Sequence, residues 1–170
     1  HITRKWLNVP YADDSSAQRL DIYLPDAGHG PFPVIVAIHG GAFLMGDKAD
    51  AQLSAPLAGV ELGYAVVSIN YRLSGEAIFP AAVRDVQAAI RFLKLNAAGY
   101  QLDPQRFSAW GGSAGGNLAA WAGTASRTED TRIHAVVDWF GPIDFLAMDG
   151  QFRISGLGRP NHSAIHSPES

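Results

Sequence analysis

Six consecutive small residues, Gly111-Gly112-Ser113-Ala114-Gly115-Gly116, constrain this chain more than any other stretch. They follow the apolar run Phe107-Ser108-Ala109-Trp110, which reads as the end of a strand. They open Asn117-Leu118-Ala119-Ala120-Trp121, which reads as a helix. A reversal sharp enough to bring strand and helix backbones into contact leaves no room for side chains beside it. The spacing G-x-S-x-G in that setting holds a serine hydroxyl at the tip of a sheet, next to a helix N-terminus. Ser113 is therefore the candidate nucleophile. The plainer alternative is a tight turn that happens to contain a serine, and the strand and helix on either side weigh against it.

A nucleophile needs a base, a group to orient that base, and donors for an oxyanion. A second motif supplies donors. His39-Gly40-Gly41-Ala42 ends the β-branched run Val34-Ile35-Val36-Ala37-Ile38, which reads as a buried parallel strand. Glycines there let backbone N–H groups point into the crevice above the sheet, where open α/β sheets bind ligands. With the N–H of Ala114, directly after the serine, they are candidates to hold the charge of a tetrahedral intermediate.

The rest of the chain reads as strands alternating with helices, hence an α/β fold with a parallel sheet. Leu20–Pro25, Tyr64–Ile69 and Ala135–Phe140 are further strands. Ala49–Leu62 reads as a weak helix broken near Pro56. Pro80 places a proline in the first turn of a helix whose Val83, Val86, Ile90 and Leu93 share one face, with Gly99 suited to its end. Asp103-Pro104 reads as a turn, and residues 150–170, rich in Gly, Ser, Pro and His, as a long loop. Trp110, Trp121 and Trp139 are expected in the core. Asp85, beside Arg84, is expected in a structural ion pair, and Tyr71-Arg72 in packing.

Composition narrows the function. With 47% hydrophobic and 17% charged residues the chain is an ordinary globular protein, here one domain over 1–170. A net charge of −3 gives no basic footprint for nucleic acid, and no apolar run reaches the length of a membrane span. The absence of cysteine excludes disulfides and thiolate chemistry. Residue 1 is His and no signal peptide is visible, so the start reads as trimmed. No cofactor is expected.

His39-Gly40-Gly41-Ala42-Phe43, Asn70-Tyr71-Arg72-Leu73, Phe79-Pro80-Ala81 with Asp85-Val86, Leu102-Asp103-Pro104 and Gly111–Gly116 fall in an order that resembles a known family. They are similar to the α/β-hydrolase esterases related to hormone-sensitive lipase, in the bacterial branch with feruloyl and acetylxylan esterases. The likeness runs over about residues 18–146. It implies a mostly parallel sheet with helices on both faces, Ser113 as nucleophile, and Gly41, Ala42 and Ala114 as oxyanion donors with Gly40 shaping the turn. It also implies that His39 braces the oxyanion loop and is not the base. Where lipase-like members often carry a third glycine this chain has Ala42, which keeps the N–H. Substrates implied are short-chain acyl esters or feruloyl and acetyl esters of sugars. A serine peptidase of the prolyl-oligopeptidase type shares G-x-S-x-G-G, and a hydrolase-fold binding module without activity is the reading outside catalysis.

The acid and base are the open question. The resemblance implies an acidic residue after a later strand and a histidine further on, both beyond Ser170. On that reading the chain is a fragment lacking the last strands and helices, completed by a further segment or by a homodimer. A local alternative is Asp144 with His162 or His166, which has the right chain order. Asp144 reads equally as a cap of the next segment. A metal site from His162, His166 and Asp149 is a further, weaker alternative.

Overall fold

The computed structural model describes residues 1–126 and 128–156. Six strands form one sheet in the order β1-β2-β4-β3-β5-β6: β1 Lys5–Pro10, β2 Arg19–Tyr23, β3 Phe32–Ile38, β4 Ala65–Ile69, β5 Leu102–Gly112 and β6 Ala135–Trp139. β3 to β6 run parallel, and β2 joins β4, and β1 joins β2, antiparallel. The helices among the described residues are α1 Ser54–Leu57, α2 Ala81–Leu95, α3 Ala114–Thr124 and α4 Met148–Ser155.

β3 lies between β4 and β5 and is buried on both faces, as its unbroken apolar run requires. Its alternation feeds two cores. Val34, Val36 and Ile38 meet α2 and α3 on one face, through Val86, Ile90, Leu93 and Leu118. Ile35 and Ala37 meet Leu53, Val60 and Val66 on the other, under α1 and its flanking 3-10 turns. Helices thus cover both faces, as expected. The expected stripe of α2 is real: Val86, Ile90 and Leu93 are buried, and Val83 packs at their margin. Each fully buried Ile or Leu contributes about 1.5–3 kcal/mol.

Asp85 ends in a buried ion pair, but its partner is Arg72 rather than its neighbour Arg84. Arg72 Nη2 lies 2.7 Å from Asp85 Oδ1, and Gln18 Nε2 and the Arg72 N–H each donate to the same carboxylate at 2.8 Å. This pair ties the segment after β4 to the start of α2.

Several expectations are corrected. Residues 150–155, read as loop, continue α4, which ends at Gly156 in the left-handed conformation; 157–170 lie outside the described residues. β1, Lys5-Trp6-Leu7-Asn8-Val9-Pro10, is a strand with no apolar–polar alternation in its sequence, and its pairing with β2 is irregular between Trp6 and Val9. The 49–62 helix is three short pieces rather than one. Pro80 sits at the N-cap, just outside the first turn of α2. Asp103 does turn the chain, its carboxylate accepting the Gln105 N–H at 2.9 Å, but within β5 and its register shift against β3.

The tryptophans depart furthest. Trp110 is half-buried, but Trp121 and Trp139 are 40% and 47% exposed. Trp121 lies on α3 and Trp139 ends β6, which among the described residues pairs with β5 alone and exposes Val136, with Phe140 beyond its end. An apolar strand with an open edge invites pairing with another chain. Expressed by itself, the 170-residue chain is expected to self-associate, and replacing Trp139 and Phe140 by Ser to reduce that association in size-exclusion chromatography. A monodisperse, cooperatively unfolding 18.1 kDa monomer at high concentration would contradict this.

Candidate functional site

Ser113 stands between the end of β5 and the first residue of α3, with φ 56° and ψ −123°. A non-glycine residue there costs about 1–3 kcal/mol and persists only where its surroundings impose it. The glycines on either side show what imposes it. A Cβ on Gly111 would lie 2.1 Å from the Gly115 carbonyl oxygen, and one on Gly115 would lie 2.1 Å from that of Ile38. The Ser113 N–H is held by the Trp139 carbonyl at 2.8 Å, and the Ser113 carbonyl accepts from Asn117 N–H at 3.1 Å. Asn117, buried in α3, sends its Nδ2 to the Pro142 carbonyl at 2.7 Å. The elbow is thereby locked to the exit of β6.

The loop after β3 is strained as well: Gly41, Ala42 and Phe43 have φ of 127°, 54° and 60°. Its successive peptide units are held by their oxygens. The His39 carbonyl accepts from the Tyr71 hydroxyl at 2.8 Å, and the Gly40 carbonyl lies 2.8 Å from His39 Nδ1. The Gly41 carbonyl accepts from the N–H groups of Leu44 at 2.9 Å and Met45 at 3.1 Å. In a trans peptide the N–H points opposite to the C=O. Fixing the Gly40 and Gly41 oxygens therefore aims the N–H groups of Gly41 and Ala42 the other way. Those two, and the N–H of Ala114, meet no acceptor among the described residues. Ser74 completes the loop by donating its N–H and Oγ to the Phe43 carbonyl at 2.8 and 2.9 Å.

His39 is a brace by geometry. Its ring is buried, stacks on Tyr71 at 4.5 Å with planes 15° apart, and gives Nδ1 to the Gly40 carbonyl. A carbonyl only accepts, so Nδ1 carries the proton. Burial holds the imidazole below its ordinary pKa, against the raising pull of the Gly40 bond, Asp50 and Asp47. Burial likewise pushes the Tyr71 phenol well up, which keeps it a donor. The far end of the loop is anchored by Lys48, whose Nζ meets Asp21 Oδ2 at 2.9 Å with both side chains buried.

Two clefts meet at Ser113 and Phe140. One, of about 240 Å³, runs between Asp50, Gln52 and Leu53 on one side and Trp110 and Trp139 on the other. The second, of about 540 Å³, is lined by Ala42, Phe43, Ala114, Ile143, Asp144 and Met148. The structure thus gathers Ser113, Gly40, Gly41, Ala42 and Ala114 around one point. Asp144 faces the second cleft, but its Oδ1 accepts the Ala147 N–H at 3.1 Å and caps a 3-10 turn. His162 and His166 lie outside the described residues, and with them the local acid–base pair and the metal site with Asp149. No group of three or more His, Asp or Glu among the described residues could hold a metal ion. Sequence reasoning missed Tyr71 as a loop anchor, Gln52 and the Lys48–Asp21 pair. Tyr71 sat in a noted motif; the other two carry no local signature.

A family model described as BD-FAE matches residues 20–169. The chain belongs to the BD-FAE family. Its expected likeness to α/β-hydrolase esterases is borne out. Esterase LipQ of Mycobacterium tuberculosis is 33% identical over 148 residues, covering 81% of this chain and 35% of that protein. A solved structure called a truncated form of a carbohydrate esterase from gut microbiota superposes with TM-score 0.84 at 36% identity, over 98% of this chain and 64% of that one. A bifunctional GH43-CE protein of Bacteroides eggerthii gives TM-score 0.82 at 37% identity, over 97% of this chain and 23% of its own. The chain spans about a third of the length of the curated relatives it matches. The mostly parallel mixed sheet with helices on both faces is the fold of these α/β-hydrolase esterase neighbours.

The neutral, buried His39 implies a sign for pH dependence. Above pH 6.5 the ring is neutral folded and unfolded alike, so it imposes no penalty. Below 6.5 the unfolded chain takes up the proton more readily, and stability falls as pH drops toward the lowered folded value. A His39→Gln variant is expected to lose stability at pH 7.5 but to show a shallower decline between pH 7 and 5 than the wild type. Urea unfolding across that range checks it; equal slopes would refute the assignment.

Proposed function

We propose that this BD-FAE chain carries the nucleophile and oxyanion site of a serine carboxylester hydrolase. One observation carries the reading. Ser113 is forced into a strained conformation at a helix N-terminus, within a cleft onto which the unpaired N–H groups of Gly41, Ala42 and Ala114 converge. Ser113 Oγ bonds to the ester carbonyl carbon while its proton passes to a base, and the carbonyl π electrons move to oxygen. The three N–H groups stabilise that oxyanion, each such donor being worth about 2.7–4 kcal/mol. The intermediate collapses with loss of the alcohol, which takes the proton, and leaves an acyl-enzyme. Water then adds, and the acid leaves by the same sequence.

The names of the relatives, esterases and carbohydrate esterases, support an ester as substrate. The finer proposal is a short-chain acyl ester, or an acetyl or feruloyl ester on a sugar. The base and its orienting acid are supplied from outside the local Asp144–histidine pairing. Asp144 favours this over the local pairing with His162 or His166, because its carboxylate is engaged as a cap.

Three measurements test the reading. A fluorophosphonate probe is expected to label the wild type and not Ser113→Ala; equal labelling of both would defeat the nucleophile, and no labelling would favour a binding module. An aryl acetate is expected to be turned over and a prolyl amide not, the reverse outcome pointing to a peptidase. Asp144→Asn, which keeps an acceptor for the cap, is expected to retain kcat within about threefold, whereas loss of the residue orienting a catalytic His costs about 10⁴.

A further inference from the structure

The peptide unit joining His39 to Gly40 is clamped at both ends. Tyr71 holds its oxygen, and its N–H donates to Gln52 Oε1 at 2.8 Å. Gln52 comes from the 3-10 turn after the loop and is itself held twice: its N–H donates to Asp50 Oδ1 at 2.9 Å and its Nε2 to Asp50 Oδ2 at 3.0 Å. The Gly40 Cα presses on the elbow, since a Cβ there would stand 2.7 Å from the Gly112 carbonyl oxygen, 3.0 Å from Gln52 Oε1 and 3.3 Å from Ser113 Cβ.

We infer that Gln52 is a positioning residue of the oxyanion site. By taking the Gly40 N–H it keeps that donor away from Ser113 and sets the plane from which the Gly41 and Ala42 N–H groups are aimed. The loop needs such a clamp, because Gly41, Ala42 and Phe43 are all held at positive φ and two of them carry side chains. Tyr71 and His39 hold the loop from the buried side, and Gln52 holds it from the cleft. Gln52 is exposed and belongs to neither apolar core, so its removal leaves the packing of the sheet intact. The inference rests on the serine-hydrolase reading and adds to it a residue that acts through the Gly40 peptide rather than on the reacting atoms.

The test uses the polypeptide as its gene encodes it, an aryl acetate, and the rate of fluorophosphonate labelling. Gln52→Leu keeps the bulk and removes the acceptor. It is expected to lower kcat and the labelling rate together by about tenfold, the order expected for one lost hydrogen bond, with KM within twofold and a thermal midpoint that, though lowered, stays well above the assay temperature. Gln52→Glu places two carboxylates where Gln52 Nε2 now meets Asp50, and is expected to fall at least as far. Combining it with Asp50→Asn reverses the polarity of that bond, keeps the acceptor for Gly40 and conserves the net charge. The double variant is expected to recover most of the lost kcat. Unchanged kcat in Gln52→Leu overturns the inference. So does a fall in thermal midpoint that accounts for the lost activity, or a double variant no better than Gln52→Glu. A wild type that neither hydrolyses the ester nor takes the label overturns the hydrolase reading itself, which separates the two failures.

Discussion

The contact between the Gly115 backbone and the Ile38 carbonyl is the constraint on which the rest of the site depends. A Cβ on Gly115 would stand 2.1 Å from that oxygen, so only glycine lets α3 start directly above the end of β3. That approach throws Ser113 into its strained conformation and sets Ala114, with its unpaired N–H, at the helix start. It also brings the elbow against the loop after β3, because β3 and β5 are adjacent parallel strands in register from Val34↔Phe107 to Ile38↔Gly111. Two loops far apart in sequence therefore meet at one point because their strands are neighbours.

The donors are aimed by what happens to the carbonyls. Each peptide of the loop from His39 to Ala42 has its oxygen tied down, by Tyr71, His39 and the turn at Leu44 and Met45 in succession. Planarity then leaves no choice about the N–H on the other side. On the proposed reading, a site built this way would be organised before substrate arrives and would need no reorganisation during reaction. Its strain is offset by buried features that do no chemistry: the stacked His39 and Tyr71 rings and the Lys48–Asp21 ion pair.

Much of this was legible in the sequence, and for identifiable reasons. The strands β3 and β4 are runs of β-branched residues buried on both faces, so periodicity and burial agree. The apolar stripe of α2 is regular from Ala81 to Leu93. Where local pattern and tertiary context part company, the reading failed. Trp121 and Trp139 look like core residues, but the outer side of α3 and the end of the edge strand β6 leave them exposed on the described chain. β1 is half-polar and irregularly paired, so no alternation announces it. Asp85 sits beside Arg84 in sequence yet pairs with Arg72, because adjacent helix residues point in different directions while the end of β4 lies over the start of α2.

The sequence by itself determined the elbow, the donor loop and the strand-helix alternation, since each depends on steric limits that glycine, serine and β-branched residues carry with them wherever they stand. It also carried the family resemblance. Only the tertiary structure decided which groups act on which. That Tyr71 holds His39, that Asp144 is engaged as a cap, and that Gln52 closes on Gly40 depend on distances between segments that no local pattern encodes. Hydrogen bonds of this kind are short-ranged and directional, so they are settled only when the sheet has brought the chain ends of β3, β4 and β5 together.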